Sequence, residues 1–332
     1  TWDFLSTRLG GGSVPKERAK IDFEELEALG INMGMIHGVD DATLGELAKE
    51  HGIVAATWTG WAENWRYTSE AYNKQYDYKD GETPPQRWQR VFDDYYGRTV
   101  GNAKKNSSNL MALATRINLG DEIGQVTNAA EIAKTPQLLA YFREWLKARG
   151  VTPVDFGAAD WESVQPLDDR KVLGDDQGAK AKNFYWTWQF VNDYTAMFYR
   201  IATETVQKHA GPHDVAVNYQ AGPMQIAYLG NDNDMDKCPM DIFHLQREKA
   251  FNSALTEDWV FGWDMGIGRI NLGNEMLRSA TRKYNQPIAT YLVGGEAIRA
   301  EFMANLSLGV KDIDLYLYGP ITNVGPAWAE SE

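Results

Sequence analysis

The sequence predicts a single (β/α)8 barrel, with elaborated βα loops, spanning residues 1–332. Three observations carry that reading. Eight short strand-like runs alternate with helical runs, the pattern of a parallel α/β sheet. The length of 332 residues suits one such barrel with long loops. No strand leads into a glycine-rich phosphate fingerprint: Gly10-Gly11-Gly12 lacks the G-x-G-x-x-G spacing, so an open nucleotide-binding sheet is disfavoured.

The runs follow in order. Asp3 to Leu9 reads as a strand closed by Gly10-Gly11-Gly12. Pro15 to Leu29 reads as a helix, with Ala19, Phe23, Leu26 and Leu29 at helical spacing and Gly30 as its stop. Ile31 to Ile36 is the second strand, ending at His37-Gly38, and Asp41 to Glu50 is a helix. Ile53 to Thr57 is the third strand, and it opens into an aromatic loop from Trp58 to Tyr78. Pro84 to Tyr96 is helical, and Leu110 to Leu119 is the fourth strand, ending at Gly120-Asp121-Glu122. Thr135-Pro136 starts a helix that runs to about Arg149, with Thr as N-cap and Pro in the first turn. A long helix covers Ala181 to His209 before the fifth strand, Asp214 to Asn218. Asp258 to Phe261 is the sixth strand, ending near Trp263-Asp264. A helix from Asn274 to Tyr284, a seventh strand from Pro287 to Val293, a helix from Glu296 to Leu308 and an eighth strand from Asp312 to Leu317 complete the set.

Composition narrows the function classes. The formal charge of −13 repels a phosphate backbone and an anionic lipid surface, so neither nucleic acid nor membrane is an expected partner. No apolar stretch is long enough to span a bilayer. Cys238 is the single cysteine, which excludes an intrachain disulfide. The chain begins at Thr1 without a visible signal peptide, as a mature form or a domain cut from a longer protein would. The 12 Trp and 16 Tyr fit either a Trp-rich core or flat platforms for the CH faces of sugar rings. The acidic composition and the aromatic loop favour a secreted or periplasmic setting and an oligo- or polysaccharide substrate.

Metal and cofactor signals fail. Asn231 to Asp236 resembles the start of a calcium loop, but Lys237 stands where a glycine is needed and Phe243 where a glutamate is needed. No H-E-x-x-H motif or Cys/His cluster points to zinc, and no G-x-S-x-G elbow to a serine nucleophile. The expectation is an enzyme with no metal and no cofactor. Other barrel chemistry, such as a lyase or isomerase, lacks an evident metal cluster or lysine base.

Barrel active sites lie at the carboxyl ends of the strands. The residues falling there are His37, Trp58, Trp61, Asp121, Glu122, Asn218, Tyr219, Trp263, Asp264, Glu296 and Tyr318. Carboxylates, amides and aromatics dominate, the set used to cleave a glycosidic bond: one carboxylic acid protonates the leaving oxygen and a second carboxylate attacks or activates water. Asp121 and Glu122 follow an apolar strand and are bracketed by Gly120 and Gly124, so one can face the barrel mouth while the other supports it. A βα-loop acid at a helix start is the structural alternative. Asp121, His37, Trp58, Trp61, Asn218, Trp263 and Tyr318 are candidate substrate contacts.

On these residues the sequence resembles the barrel of retaining β-galactosidases of glycoside hydrolase family 42 and related clan A enzymes. The similarity lies in Asp121-Glu122 after the fourth strand, Val215-Ala216-Val217-Asn218 after an aromatic helix, Asp258 to Asp264, and Arg299 through Gly309-Val310-Lys311-Asp312-Ile313 to Tyr318. It implies a hydrolase of galactose-like sugars with Glu122 as acid/base and a homo-oligomeric assembly. Two departures stand out. Asp121 occupies the place of the clan's asparagine, and no acid falls within the seventh strand, where the clan's nucleophile sits. Glu296 comes slightly late and Asp264 is the other candidate for the second carboxylate. The adjacent Asp121-Glu122 pair also resembles substrate-assisted hexosaminidases, and a non-catalytic carbohydrate-binding barrel is the remaining alternative.

Overall fold

The computed structural model describes residues 16–34, 41–55, 57–58, 76–106, 116–120, 125–167, 178–219, 241–258, 267–293, 298–310 and 312–316. The elements in chain order are α1 (Lys16–Ala28), β1 (Met33–Gly34), α2 (Asp41–Glu50), β2 (Val54–Ala55), β3 (Thr57–Trp58), α3 (Pro84–Asn106), β4 (Arg116–Asn118), α4 (Ala129–Lys134), α5 (Pro136–Lys147), α6 (Ala179–Ala210), β5 (Asp214–Ala216), β6 (Asn218–Tyr219), α7 (Ile242–Arg247), β7 (Ala254–Asp258), α8 (Ile267–Thr281), β8 (Ile288–Val293), α9 (Ile298–Ser307) and β9 (Asp312–Tyr316). The expected first strand, Asp3 to Leu9, lies outside the described residues.

Strand order is sequential. The ladders run β1-β2, then β3-β4-β5, then β6-β7-β8-β9, and every pair is parallel. Only Val217, itself buried, separates β5 from β6. The backbone carbonyl of Val215 accepts from the amides of Asn252 (3.3 Å) and Ser253 (3.2 Å), so β5 reaches the segment that enters β7. Parallel neighbours need a crossover between them, and helices fill those crossovers here.

The sheet is strongly curled. The guanidinium of Arg116 in β4 is ion-paired with the carboxylate of Asp312 in β9. Four strand spacings separate these strands in sheet order. At ~4.8 Å each a flat sheet would hold them ~19 Å apart, beyond the reach of one arginine side chain. The pair is only 5% and 25% exposed at its two ends.

Helix positions follow from local chemistry. Ala19, Phe23 and Leu26 of α1 are buried as their spacing predicts, but Leu29 lies past the helix and is exposed. Gly30 ends the helix in the left-handed region (φ 75°), where the Ile31 amide reaches back to the Leu26 carbonyl at 2.9 Å. In α5, Leu138, Phe142 and Leu146 form the buried stripe, with Pro136 in the first turn. Thr135 sits at the N-cap position, but its side chain makes no capping bond; the same residue is the C-cap of α4, its amide donating to the Glu131 carbonyl.

The principal core lies where α3 crosses α6. Trp88, Phe92 and Tyr96 of α3 meet Phe190, Tyr194 and Phe198 of α6. The Trp88 and Phe92 rings stand edge-on to Phe198 at 4.7 and 5.0 Å. Trp88 Nε1 donates to the Tyr194 hydroxyl at 2.7 Å, so both polar handles are satisfied inside the core. Much of the aromatic excess among the described residues is therefore core.

Two sequence expectations are corrected. Helix α3 continues past Tyr96 to Asn106. Gly97, which looks like a stop, is where the ring of His209 packs: a Cβ there would lie 3.3 Å from the imidazole. The sixth strand starts earlier than the expected Asp258: it is described as Ala254–Asp258, and Trp259 to Phe261 lie outside the described residues. The apolar Trp259-Val260-Phe261 dominates the sequence signal, and the described ladder to β8 already pairs Ala254↔Ile288 through Asp258↔Leu292, with Ala254 and Leu255 buried.

Candidate active site

Because every strand pair is parallel, the carboxyl ends of the strands share one edge of the sheet. Trp58 closes β3, opposite Asn118 at the close of β4. Asn118 is 5% exposed, and its Oδ1 accepts from the Gly120 amide at 3.3 Å. The Leu119 amide donates to the Ala216 carbonyl at 2.8 Å. These bonds hold the backbone to the sheet up to the residue before Asp121-Glu122.

Asn218 opens β6 rather than ending the fifth strand; the strand runs on to Tyr219, and Asn218 is in register with Leu255. Among the sequence-predicted site residues, Trp58 and Asn218 are thus placed by backbone. His37, Trp61, Asp121, Glu122, Trp263, Asp264, Glu296 and Tyr318 lie outside the described residues. Their chain positions relative to the strands are still informative. Glu122 is four residues past Asn118, the last of β4, while Glu296 and Tyr318 are three and two past the last described residues of β8 and β9. Asp264 is six residues past Asp258, the last described residue of β7.

The structure adds acids that the sequence reading passed over. Glu257 and Asp258 are the last two described residues of β7, in register with Tyr291 and Leu292. Glu301 sits in the first turn of α9, the helix that follows β8. It is buried, its Oε1 meets no hydrogen-bond partner, and burial pushes its carboxyl up to about 7. The signal available in the sequence was an acid inside the otherwise apolar run of that helix. Among the described residues, no helix is long and apolar enough to cross a membrane.

No family model and no curated protein matches this sequence. Solved structures do. The chain is similar to a β-galactosidase from the psychrophilic Marinomonas ef1, at 10% identity and a TM-score of 0.61, over 98% of this chain and 54% of that one. It is similar to a polyextremophilic β-galactosidase from the Antarctic haloarchaeon Halorubrum lacusprofundi, at 12% identity and a TM-score of 0.61, over 99% and 54%. A GH42 β-galactosidase from G. stearothermophilus, in a catalytic mutant form, matches at 13% identity and a TM-score of 0.56, over 90% and 48%. The chain spans about half the length of these enzymes. At such identities the likeness is one of fold: the α/β architecture of this chain is shared with glycoside hydrolases.

Proposed function

We propose that this chain is a glycoside hydrolase that cleaves a galactose-like sugar or polysaccharide from the mouth of one closed (β/α)8 barrel, with Glu122 as general acid. The observation that carries the reading is the sequential, all-parallel strand order. It supports one shared crater at the carboxyl edge, fed by the segments that bear Glu122, Asp264 and Glu296. The contact from Arg116 to Asp312 supports closure of the sheet. The fold likeness to β-galactosidases supports the substrate class.

In this mechanism Glu122 gives its proton to the oxygen that bridges two sugar units. A second carboxylate, Asp264 or Glu296, attacks the anomeric carbon or activates water. A gap of ~5 Å between the two carboxyl groups gives retention, and ~6.5–9.5 Å gives inversion. Asp121 supports Glu122. His37, Asn218 and Tyr318 bond sugar hydroxyls, while Trp58, Trp61 and Trp263 supply faces for the ring.

The test is Glu122→Gln, assayed on a panel of aryl glycosides and galactose-containing polysaccharides. Turnover is expected to fall by about 10²–10⁴-fold, with less loss for good leaving groups and with sugar affinity retained in calorimetry. If the wild-type chain binds these sugars and turns over none of them, the non-catalytic reading replaces this one.

A further inference from the structure

Away from the strands, α5, α6 and α7 enclose a pocket of about 430 Å³, but its central carboxylate is already held: Asp193 accepts from Trp145 Nε1 at 2.9 Å and from Arg149. The sheet has a face whose chemistry is not settled in this way.

Side chains alternate along a strand, and the buried strand residues sort into two sets accordingly. Ile117, Val215, Val217, Ala254 and Ile288 belong to the principal core with the helices. Ala216, Leu255 and Ala289 form a small cluster of their own. Register ties Ala216 to Asn118, and Leu255 through Ala289 to Asp312. Arg116, two residues before Asn118, shares that face with Asp312. Their ion pair spans four strand spacings, which only the concave side of a curled sheet allows. Ala216, Leu255 and Ala289 therefore lie on the inner face, and the helices cover the outer one.

The next inner row toward the carboxyl edge is Glu257, Tyr291 and Asp314. They stand in register on three adjacent strands, Glu257↔Tyr291 and Tyr291↔Asp314, two residues past Leu255, Ala289 and Asp312. The backbones of Glu257 and Asp314 are thus two strand spacings apart, ~10 Å. Asn118, in register with Trp58 and Ala216, and Asn218, in register with Leu255, fall on the same face. Barrel interiors are ordinarily filled by bulky branched side chains. Here alanine stands at positions 216 and 289, and the row beyond is polar. Among the described strands Arg116 is the only cation, and Asp312 pairs with it. Carboxylates accept hydrogen bonds from hydroxyl groups. They repel an anion, the more strongly in a weakly screened interior.

We propose that Glu257, Tyr291 and Asp314 form the floor of the crater and select a neutral sugar unit there, binding its hydroxyls and excluding sugars that bear a carboxylate or a sulfate ester. The proposal rests on the reading of the strand ends as a sugar crater, and it makes no use of Glu122, Asp264 or Glu296. The full chain is titrated by calorimetry at pH 7 with galactose, glucose, mannose, galacturonate and galactose 6-sulfate. At least one neutral sugar is expected to bind ten-fold or more tighter than either acidic one. Glu257→Gln and Asp314→Asn are each expected to weaken that binding at least ten-fold and to shrink the discrimination, with circular dichroism unchanged. Tyr291→Phe is expected to weaken binding several-fold and to leave the discrimination as it was. Thr290→Val, one residue away on the outer face, is expected to change neither. The idea is overturned if an acidic sugar binds as tightly as the best neutral one, or if no neutral sugar binds at millimolar concentration. It is equally overturned if folded Glu257 and Asp314 variants keep wild-type affinity and discrimination, or if Thr290→Val alters them as much. Turnover of aryl glycosides is read separately on the same proteins. Selective binding without turnover sinks the hydrolase reading alone, whereas turnover with selectivity untouched in the variants sinks the floor alone.

Discussion

Arg116 at the start of β4 is ion-paired with Asp312 at the start of β9, across 196 positions of sequence. Both residues make further contacts, so the pair belongs to a small network inside the curled sheet. Removing one member takes one counter-charge away from a largely buried charge. Asp312→Asn is expected to cost about 3 kcal/mol in urea unfolding, whereas the double variant Arg116→Met, Asp312→Leu costs less than the single one. Equal losses for the single and double variants would deny the pair its bridging role.

The second carboxylate of the proposed hydrolase is separable from its rival by substitution. Either Asp264→Asn or Glu296→Gln, not both, is expected to lower turnover by at least about 10²-fold. In a retaining enzyme, azide then restores turnover to the shortened form of that residue, giving a glycosyl azide detectable by mass spectrometry. If neither matters, while Asp121→Asn suppresses cleavage of an N-acetylhexosaminide, the substrate's own acetamido group is the nucleophile.

Acid stability has an identifiable contributor at the start of α3. Arg90 grips Glu82 with two bonds, Nε to Oε1 at 2.7 Å and Nη2 to Oε2 at 2.8 Å. The hydrogen bond from Arg90 is the main reason the Glu82 carboxyl falls from 4.5 to about 2. A depressed carboxylate adds stability above its unfolded value and loses it as pH falls through the folded one. Glu82→Gln is therefore expected to cost about 1 kcal/mol at pH 7, and the difference should close between pH 4.5 and pH 2. A difference that persists at pH 2 would trace to packing instead.

Glu301 has the opposite sign. Burial raises its carboxyl from 4.5 to about 7, so the folded chain holds a proton that the unfolded chain has released between those values. Stability falls with rising pH across that window and the penalty is complete above it. Glu301→Gln is expected to stabilise the protein by about 2 kcal/mol at pH 8.5 and to leave it unchanged near pH 4, as read by chemical denaturation. A gain that is equal at both pH values would show that ionisation is not the cause.

What the sequence disclosed was chiefly local. The apolar run Ile288–Val293 is β8 almost to the residue, and Phe142 and Leu146 lie on the buried face that their spacing predicts. What it hid was tertiary. Ala254–Asp258 is a strand because Leu255 and Ala289 pack as neighbours, not because its own residues favour extension. Gly97 reads as a helix breaker and is a seat for His209. The six residues of α7 are too few to show periodicity, and their cap, Asp241 accepting from the His244 amide at 2.9 Å, is a lone signal. For the candidate site, sequence order shows which residues follow which strand. The roles of Asp264 and Glu296 depend on gaps between separate strands, which spacing along one chain does not encode. The pocket between α5, α6 and α7 was invisible for the same reason: its walls come from three helices.

The neighbour-to-neighbour strand order also bears on how the chain acquires its shape. Each βα unit finds its partner in the unit synthesised just before it, so docking can proceed from the amino end as the polypeptide emerges from the ribosome. The tie between positions 116 and 312 is the exception. It can form only after position 312 has been made, which places its formation after the neighbouring units between those positions have docked.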